Sequence, residues 1–383
     1  MSEAANTSKA SSVAEAAGGV RSFLVSSAPH LAAGASTQRI MFEVVGAMVP
    51  LLIFAVYFYR AAALVLTVVT VAACLIAEAV ANRIRGRSQA SLFDGSAVVT
   101  GMILAFSLPP SLNPYMAFIG GVVAIVLAKA VFGGLGQNLF NPAMVGRAFL
   151  MICFPAAMVT FTPTAPMMPD AKEAAAAAKG VAVSELTDRD VDAITAATPL
   201  YQAAKYAEAV RKIESDSANA QKHQATAEQI RAAMPSQWQL FFGNVGGCVG
   251  ETSALAALIC GLYLVIRGVA DWRQPLGVLA GVLVFALIAR LVAPDSLQSP
   301  LYYLNSGALV FGAFFIATDY VGAPLTPTGR LAFGLGVGVL VMLIRLFGAY
   351  PEGFMFAILI MNALTPLIER WTVPTPFGGH VQA

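Results

Sequence analysis

Four ionisable residues, Lys129, Glu251, Asp319 and Glu352, stand in or beside strongly apolar runs of this chain. Charge at membrane depth is costly and usually serves binding or ion movement, so together the three acids suggest the mouths of a polar path. Each can instead fix a helix end. Glu251, Thr252 and Ser253 open an apolar run, where acid and hydroxyl groups stabilise a helix N-terminus. A second constellation is Gly133-Gly134-Leu135-Gly136-Gln137-Asn138-Leu139-Phe140-Asn141-Pro142, which interrupts two apolar spans. Its backbone groups cannot be satisfied by lipid and must be buried in protein or line a polar cavity. The simpler reading is a tight turn, since Gly, Asn and Pro are turn formers. The length of the stretch and the pair Asn138 and Asn141 favour a ligand-facing broken segment suited to a neutral planar heterocycle such as an isoalloxazine ring.

Other chemistries find no support in the residue pattern. Cys74, Cys153, Cys248 and Cys260 are scattered without CxxC spacing, so no iron–sulfur or zinc site is expected from this chain alone. His30, His223 and His380 all fall outside the apolar spans, which removes a haem-binding pair inside the bilayer. The expectation is no metal and no catalytic residue of the chain's own. A net charge of +2 with no basic cluster gives no reason to expect nucleic acid.

The elements that position these residues follow from composition. Hydrophobic residues make up 58% and charged residues 11% of the 383 residues, against about 25% charged in a soluble domain. Mean hydropathy is +0.73. The fold class is therefore an all-α polytopic membrane protein. About ten spans are expected, roughly at 40–59, 61–81, 91–108, 115–132 and 143–160, then 245–266, 275–293, 303–318, 331–347 and 354–369. Arg83, Arg85, Arg87, Arg267, Arg273, Arg330 and Arg370 mark the cytoplasmic side, with both termini there.

The expected organisation is a cytoplasmic tail (1–39), a first membrane repeat (40–160), an extracytoplasmic loop (161–240), a second repeat (241–370) and a cytoplasmic tail (371–383). The loop holds 18 of the 44 charged residues, and its 199–233 stretch, rich in Ala, Glu, Lys and Gln, predicts helix. Asp94-Gly95-Ser96-Ala97-Val98-Val99-Thr100-Gly101 is similar to Asn305-Ser306-Gly307-Ala308-Leu309-Val310-Phe311-Gly312, and Phe132-Gly133-Gly134 to Phe347-Gly348-Ala349. Five spans per half is an odd number, so the halves insert in opposite senses, as in inverted-repeat, urea-transporter-like folds with broken helices.

Ser27-Ala28-Pro29-His30, Asp94 to Ala97, Leu108-Pro109-Pro110, Gly133 to Pro142, Gly250-Glu251-Thr252-Ser253, Phe314 to Asp319 and Tyr350-Pro351-Glu352-Gly353 occur in order on these spans. In this set the chain resembles RnfD, the D subunit of the Rnf ion-translocating electron transport complex. More distantly it resembles NqrB, the B subunit of the Na+-translocating NADH:quinone reductase. The resemblance implies FMN joined through its phosphate to a threonine. The pattern is Asp-x-x-Ser/Thr-Gly-Ala-Thr, matched here by Asp192, Thr195, Ala197 and Thr198 with Ala196 in place of the glycine. Thr198 is then the anchor, with Asp192 and Thr195 read by a flavin transferase. It also implies a non-covalent riboflavin, for which Asn138 and Asn141 are the candidate contacts.

The function so implied is a flavin-carrying subunit, incomplete alone, of a translocase coupling electron transfer between reduced ferredoxin and NAD+ to Na+ or H+ movement. Its implied partners are the A, B, C, E and G subunits of Rnf and the lipid bilayer. The implied location is the inner membrane of a bacterium, with the flavin loop periplasmic. The B subunit of the quinone reductase and a small-solute, urea-type channel are the competing readings; a channel leaves the loop and its threonine unexplained.

Overall fold

A computed structural model describes residues 36–162, 164, 166, 198–215, 220–294, 297–348 and 352–374. Asp192, Thr195 and the Ser27 to His30 motif lie outside the described residues, as do most of both tails. The described residues are helical, with no strand among them. In the first half, α1 (Thr37–Tyr59), α2 (Ala61–Ile84), α3 (Ser96–Phe106), α4 (Pro114–Ile125) and α5 (Pro142–Cys153) follow one another. A wider-pitched turn, Val126–Ala130, continues α4. The loop contributes α6 (Pro199–Ser215) and α7 (Ala220–Ala233), so the stretch predicted helical is two helices. The second half holds α8 (Ala254–Ile266), α9 (Arg273–Val292), α10 (Pro300–Asn305), α11 (Leu309–Phe311) with its wide continuation Gly312–Ile316, α12 (Pro327–Phe347) and α13 (Phe354–Thr372).

Five of these, α1, α2, α9, α12 and α13, are long and apolar enough to cross a membrane; α3, the extended α4, α5 and α8 are shorter apolar helices. Large apolar side chains such as Ile53, Tyr57, Ile152 and Ile266 face outward, while Glu78, Lys129, Arg147 and Arg345 are buried. That distribution reverses the soluble pattern and is what a lipid environment selects.

Helix starts repeat one device. Asn113, Asn141, Ser299 and Thr326 each accept a backbone N–H of the first turn and are each followed by proline. The side-chain oxygen satisfies an otherwise orphaned donor, and the proline sits where its missing N–H costs nothing.

The halves also repeat their packing. In the first, α2 packs on α3 and α4, and α4 on α5; in the second, α9 packs on α10 and the α11 continuation and on α12, and α12 on α13. Across the halves equivalent spans meet, α1 with α8 and α5 with α13. Each third span is broken at a left-handed glycine, Gly95 (φ 82°) and Gly307 (φ 68°), a conformation open to glycine at little cost. Aligning on these glycines shifts the sequence match by one residue. The α9–α12 crossing is tight for a different reason. A Cβ at Gly277 would lie 2.8 Å from the Leu331 carbonyl oxygen, and one at Gly281 2.7 Å from that of Leu335. Small residues four apart let two backbones approach, which is how helices gain packing energy in lipid.

Candidate functional site

Three polar sites emerge, and the three acids do not form one group. The first is a cavity of about 110 Å³ lined by Ser96, Lys129, Asn138, Asn141, Phe315 and Asp319 among others. Three glycines with positive φ, Gly133, Gly134 and Gly136, fold the interrupting segment against it. Both asparagines are buried. Asn138 Nδ2 donates to the Phe140 carbonyl at 3.2 Å, and Asn141 Oδ1 caps α5 through Met144 N at 3.3 Å. Lys129 Nζ donates to both Glu78 oxygens, at 2.8 and 2.9 Å, and to Ser96 Oγ at 2.6 Å. Ser96 in turn donates its backbone N–H to Asp94 Oδ1 at 2.7 Å. Asp319 Oδ1 accepts from Val321 N at 3.2 Å, while Oδ2 is buried and unpaired. Asp319 also lines a second hollow with Asp271, Arg273 and Arg330, so it stands between the two.

The second site joins Glu251 and Glu352, which come from the starts of the spans formed by α8 and α13. Arg147 of α5 pairs with Glu352 and lies 3.4 Å from Cys248 Sγ, and Cys248 Sγ lies 3.6 Å from Glu352 Oε2. One ligand atom from each of Cys248, Glu251 and Glu352 falls within 4.8 Å of the others, a donor set able to hold a cation. Tyr59 Oη donates to the Gly247 carbonyl at 3.0 Å and fixes the turn that carries Cys248. Glu251 Oε1 is buried without a partner. Three aromatic rings separate this site from the first. Gly250 abuts Phe106, Phe106 meets Phe311 edge-on at 5.7 Å, and Phe311 stacks on Phe315 at 5.2 Å.

The third site is the start of α6. The sequence puts Thr198 in the extracytoplasmic loop; in the structure its side chain is packed. Thr198 is 3% exposed, and its Oγ1 accepts from Tyr201 N at 3.3 Å. It is a fifth instance of the cap-then-proline start, and it is buried because α6 docks on the broken third span of the second half. Tyr302 Oη donates to the Pro199 carbonyl at 3.1 Å, and Leu200 packs against Gly307.

Glu78, Arg147 and Arg345 stand in these sites beside the four ionisable residues singled out from the sequence. Each is a charged residue inside an apolar run, the signal by which it could have been found.

The sequence matches the NQR2, RnfD, RnfE family over residues 24–378. Among similar curated proteins, the D subunit of the Na(+)-translocating ferredoxin:NAD(+) oxidoreductase complex of Acetobacterium woodii is 38% identical, the match covering 92% of this chain and 95% of that protein. The D subunit of the proton-translocating ferredoxin:NAD(+) oxidoreductase complex of Clostridium ljungdahlii is 35% identical over 93% of this chain and 96% of its own length. The D subunit of the ion-translocating oxidoreductase complex of Halorhodospira halophila is 37% identical over 91% and 94%. With a match of this extent, the chain belongs to the NQR2, RnfD, RnfE family.

Proposed function

We propose that this chain is the flavin-carrying membrane subunit of a bacterial complex that couples electron transfer between reduced ferredoxin and NAD+ to Na+ or H+ transport. The observation that carries the reading is relatedness along nearly the whole chain to the D subunits of such complexes. The chain does not complete the reaction by itself; the other subunits bring the ferredoxin and NAD+ sites.

Thr198 is the attachment point for FMN. Its hydroxyl lies at the N-terminus of a 17-residue helix, where free N–H groups and the helix dipole favour a phosphate. A flavin held there supplies one- and two-electron redox chemistry. The residues of this chain hold it at a fixed distance from the broken span.

The cavity at Asn138 and Asn141 is the candidate riboflavin contact. Its polar groups fit: Asn138 Nδ2 has one N–H beyond the one given to Phe140, and the unpaired Asp319 Oδ2 offers an acceptor. At about 110 Å³ it is smaller than the roughly 300 Å³ of ordinary ligand pockets, so it would receive one polar edge of the ring. Glu251 on one side of the aromatic stack, with Glu352 held beside it by Arg147, and Asp319 on the other mark the ion path.

Ultraviolet fluorescence of the denatured chain in a gel, with the mass of the intact chain, tests the reading. A chain without covalent flavin in its native host would overturn it.

A further inference from the structure

Arg345 is a buried cation whose hydrogen bonds, among the described residues, go to backbone carbonyls and not to a carboxylate. It is 7% exposed, in the last turns of α12. Its Nη1 donates to the Tyr303 carbonyl at 2.7 Å and its Nη2 to the Ser306 carbonyl at 3.0 Å, while Nε has no partner. Among the described residues no carboxylate lies within ion-pairing distance of it. The equivalent span of the first half, α4, shows what is missing. There Lys129 reaches the matching helix break at Ser96, but Glu78 neutralises it at 2.8 Å. Glu251 and Glu352 act on Arg345 only through space, and a buried cation held by carbonyls alone is stabilised further by a ligand that brings negative charge into contact with it.

Such a ligand has room. Arg345 and Tyr303 line a cavity of about 300 Å³ whose other wall is α6, through Leu200, Ala203, Ala207 and Arg211. Those α6 positions recur every three or four residues and form one helix face. Glu208, the acid at the rim, is already engaged by Lys212 at 2.7 Å and Lys205 at 2.9 Å. These two lysines pull its carboxyl down to about 2, and it does not answer Arg345. Thr198 begins the same helix. At about 1.5 Å per residue, the cavity wall runs from ~3 to ~20 Å along the axis from the anchor, a stretch whose near part a ribityl phosphate arm spans.

We propose that this cavity receives the flavin ring anchored at Thr198, and that Arg345 offsets the negative charge of the ring in its reduced form. The inference rests on the covalent-flavin reading above. Two electrons and one proton added to the oxidised ring leave one negative charge on its N1–C2=O edge. That edge lies beside the Arg345 side chain where it lines the cavity, while the small residues Ala203 and Ala207 leave space for the flat face.

The test uses the purified full chain, flavinylated in cells, titrated with dithionite and mediators, for wild type, Arg345→Gln, Arg345→Lys and Ala204→Trp. Ala204 lines the cavity from the exposed side of α6, so its substitution fills the space without disturbing the membrane spans. All variants are expected to keep in-gel flavin fluorescence. Arg345→Gln disfavours the reduced ring tenfold or more, about 30 mV for a two-electron couple; Arg345→Lys does so less. Ala204→Trp raises native flavin fluorescence as the ring moves into solvent. Covalent flavin with an unchanged midpoint in Arg345→Gln and unchanged fluorescence in Ala204→Trp would overturn the proposal while leaving the anchor intact. Absence of covalent flavin from the wild type would overturn the anchor and the proposal together.

Discussion

Thr198 has two roles in this reading, and they can be separated. Its hydroxyl caps α6 through Tyr201 N, and the same oxygen is the one that would carry the phosphoester. Replacing a capping threonine by alanine costs about 1 kcal/mol, and asparagine caps as well as serine does. Thr198→Ala therefore loses flavin and also raises the fraction of frayed α6 starts about fivefold, since 1.4 kcal/mol is tenfold. Thr198→Asn keeps the cap, has no hydroxyl to esterify, and loses only flavin. Thr198→Ser keeps both. The assays are in-gel fluorescence for attachment and amide hydrogen exchange over residues 199–204 for fraying. Fluorescence retained on the denatured Thr198→Asn chain would refute the anchor. Equal exchange in Thr198→Ala and Thr198→Asn would refute the cap.

The remaining expectations concern the membrane sites. Asn138→Leu should empty the riboflavin released by acid precipitation of the purified chain, whereas Asn141→Asp, which keeps the α5 cap, should lower it less; an unchanged yield in Asn138→Leu removes that residue from the contact. Glu352→Gln takes the partner from buried Arg147 and should destabilise the chain by roughly 3–5 kcal/mol, read as a drop in melting temperature in detergent. Glu251→Gln leaves that pair intact, so it should fold normally and slow ion uptake into vesicles; normal uptake would make Glu251 structural. Asp319→Asn should slow uptake and ferredoxin-driven NAD+ reduction together with flavin content unchanged, and intact coupling would take Asp319 off the path.

Much of this architecture is legible in the sequence because lipid leaves few alternatives: apolar runs of the right length must become helices, and glycine-rich interruptions must line protein interior. Asn138 and Asn141 are legible for that reason, although Asn141 also proves to be a cap. Asp94 to Gly101 and its counterpart show the repeat, but their register is off by one, because apolar similarity carries no information about which residue must take a positive φ. Thr198 is singled out by its motif, but its burial is not legible there. Burial of a loop residue depends on where α6 docks, a contact with Gly307 more than a hundred residues away. Arg147 and Arg345 lie within apolar runs, and nothing in their local sequence tells which distant group they meet; Arg147 and Glu352 are 205 residues apart.

Those cations divide the buried carboxylates into two kinds. Glu78 is held by Lys129, and Glu352 by Arg147. A carboxylate held by a fixed cation is a poor carrier, since releasing it leaves the cation unpaired at a cost of several kcal/mol. Glu251 and Asp319 each keep an oxygen without a partner. They lie on opposite sides of the Phe106–Phe311–Phe315 stack, which offers no hydrogen-bonding atom to a hydrated ion. On the proposed path, an ion crossing between them would have to wait for these rings to move. Both Phe311 and Phe315 belong to α11 and its wide-pitched continuation, directly after the break at Gly307 where Leu200 of α6 and Arg345 also meet. A charge change beside Arg345 thus acts on the same broken helix that carries the barrier. If α6 carries the proposed flavin, that shared element is a physical route by which its redox state would alter passage along the proposed path between Glu251 and Asp319 without contact with either acid.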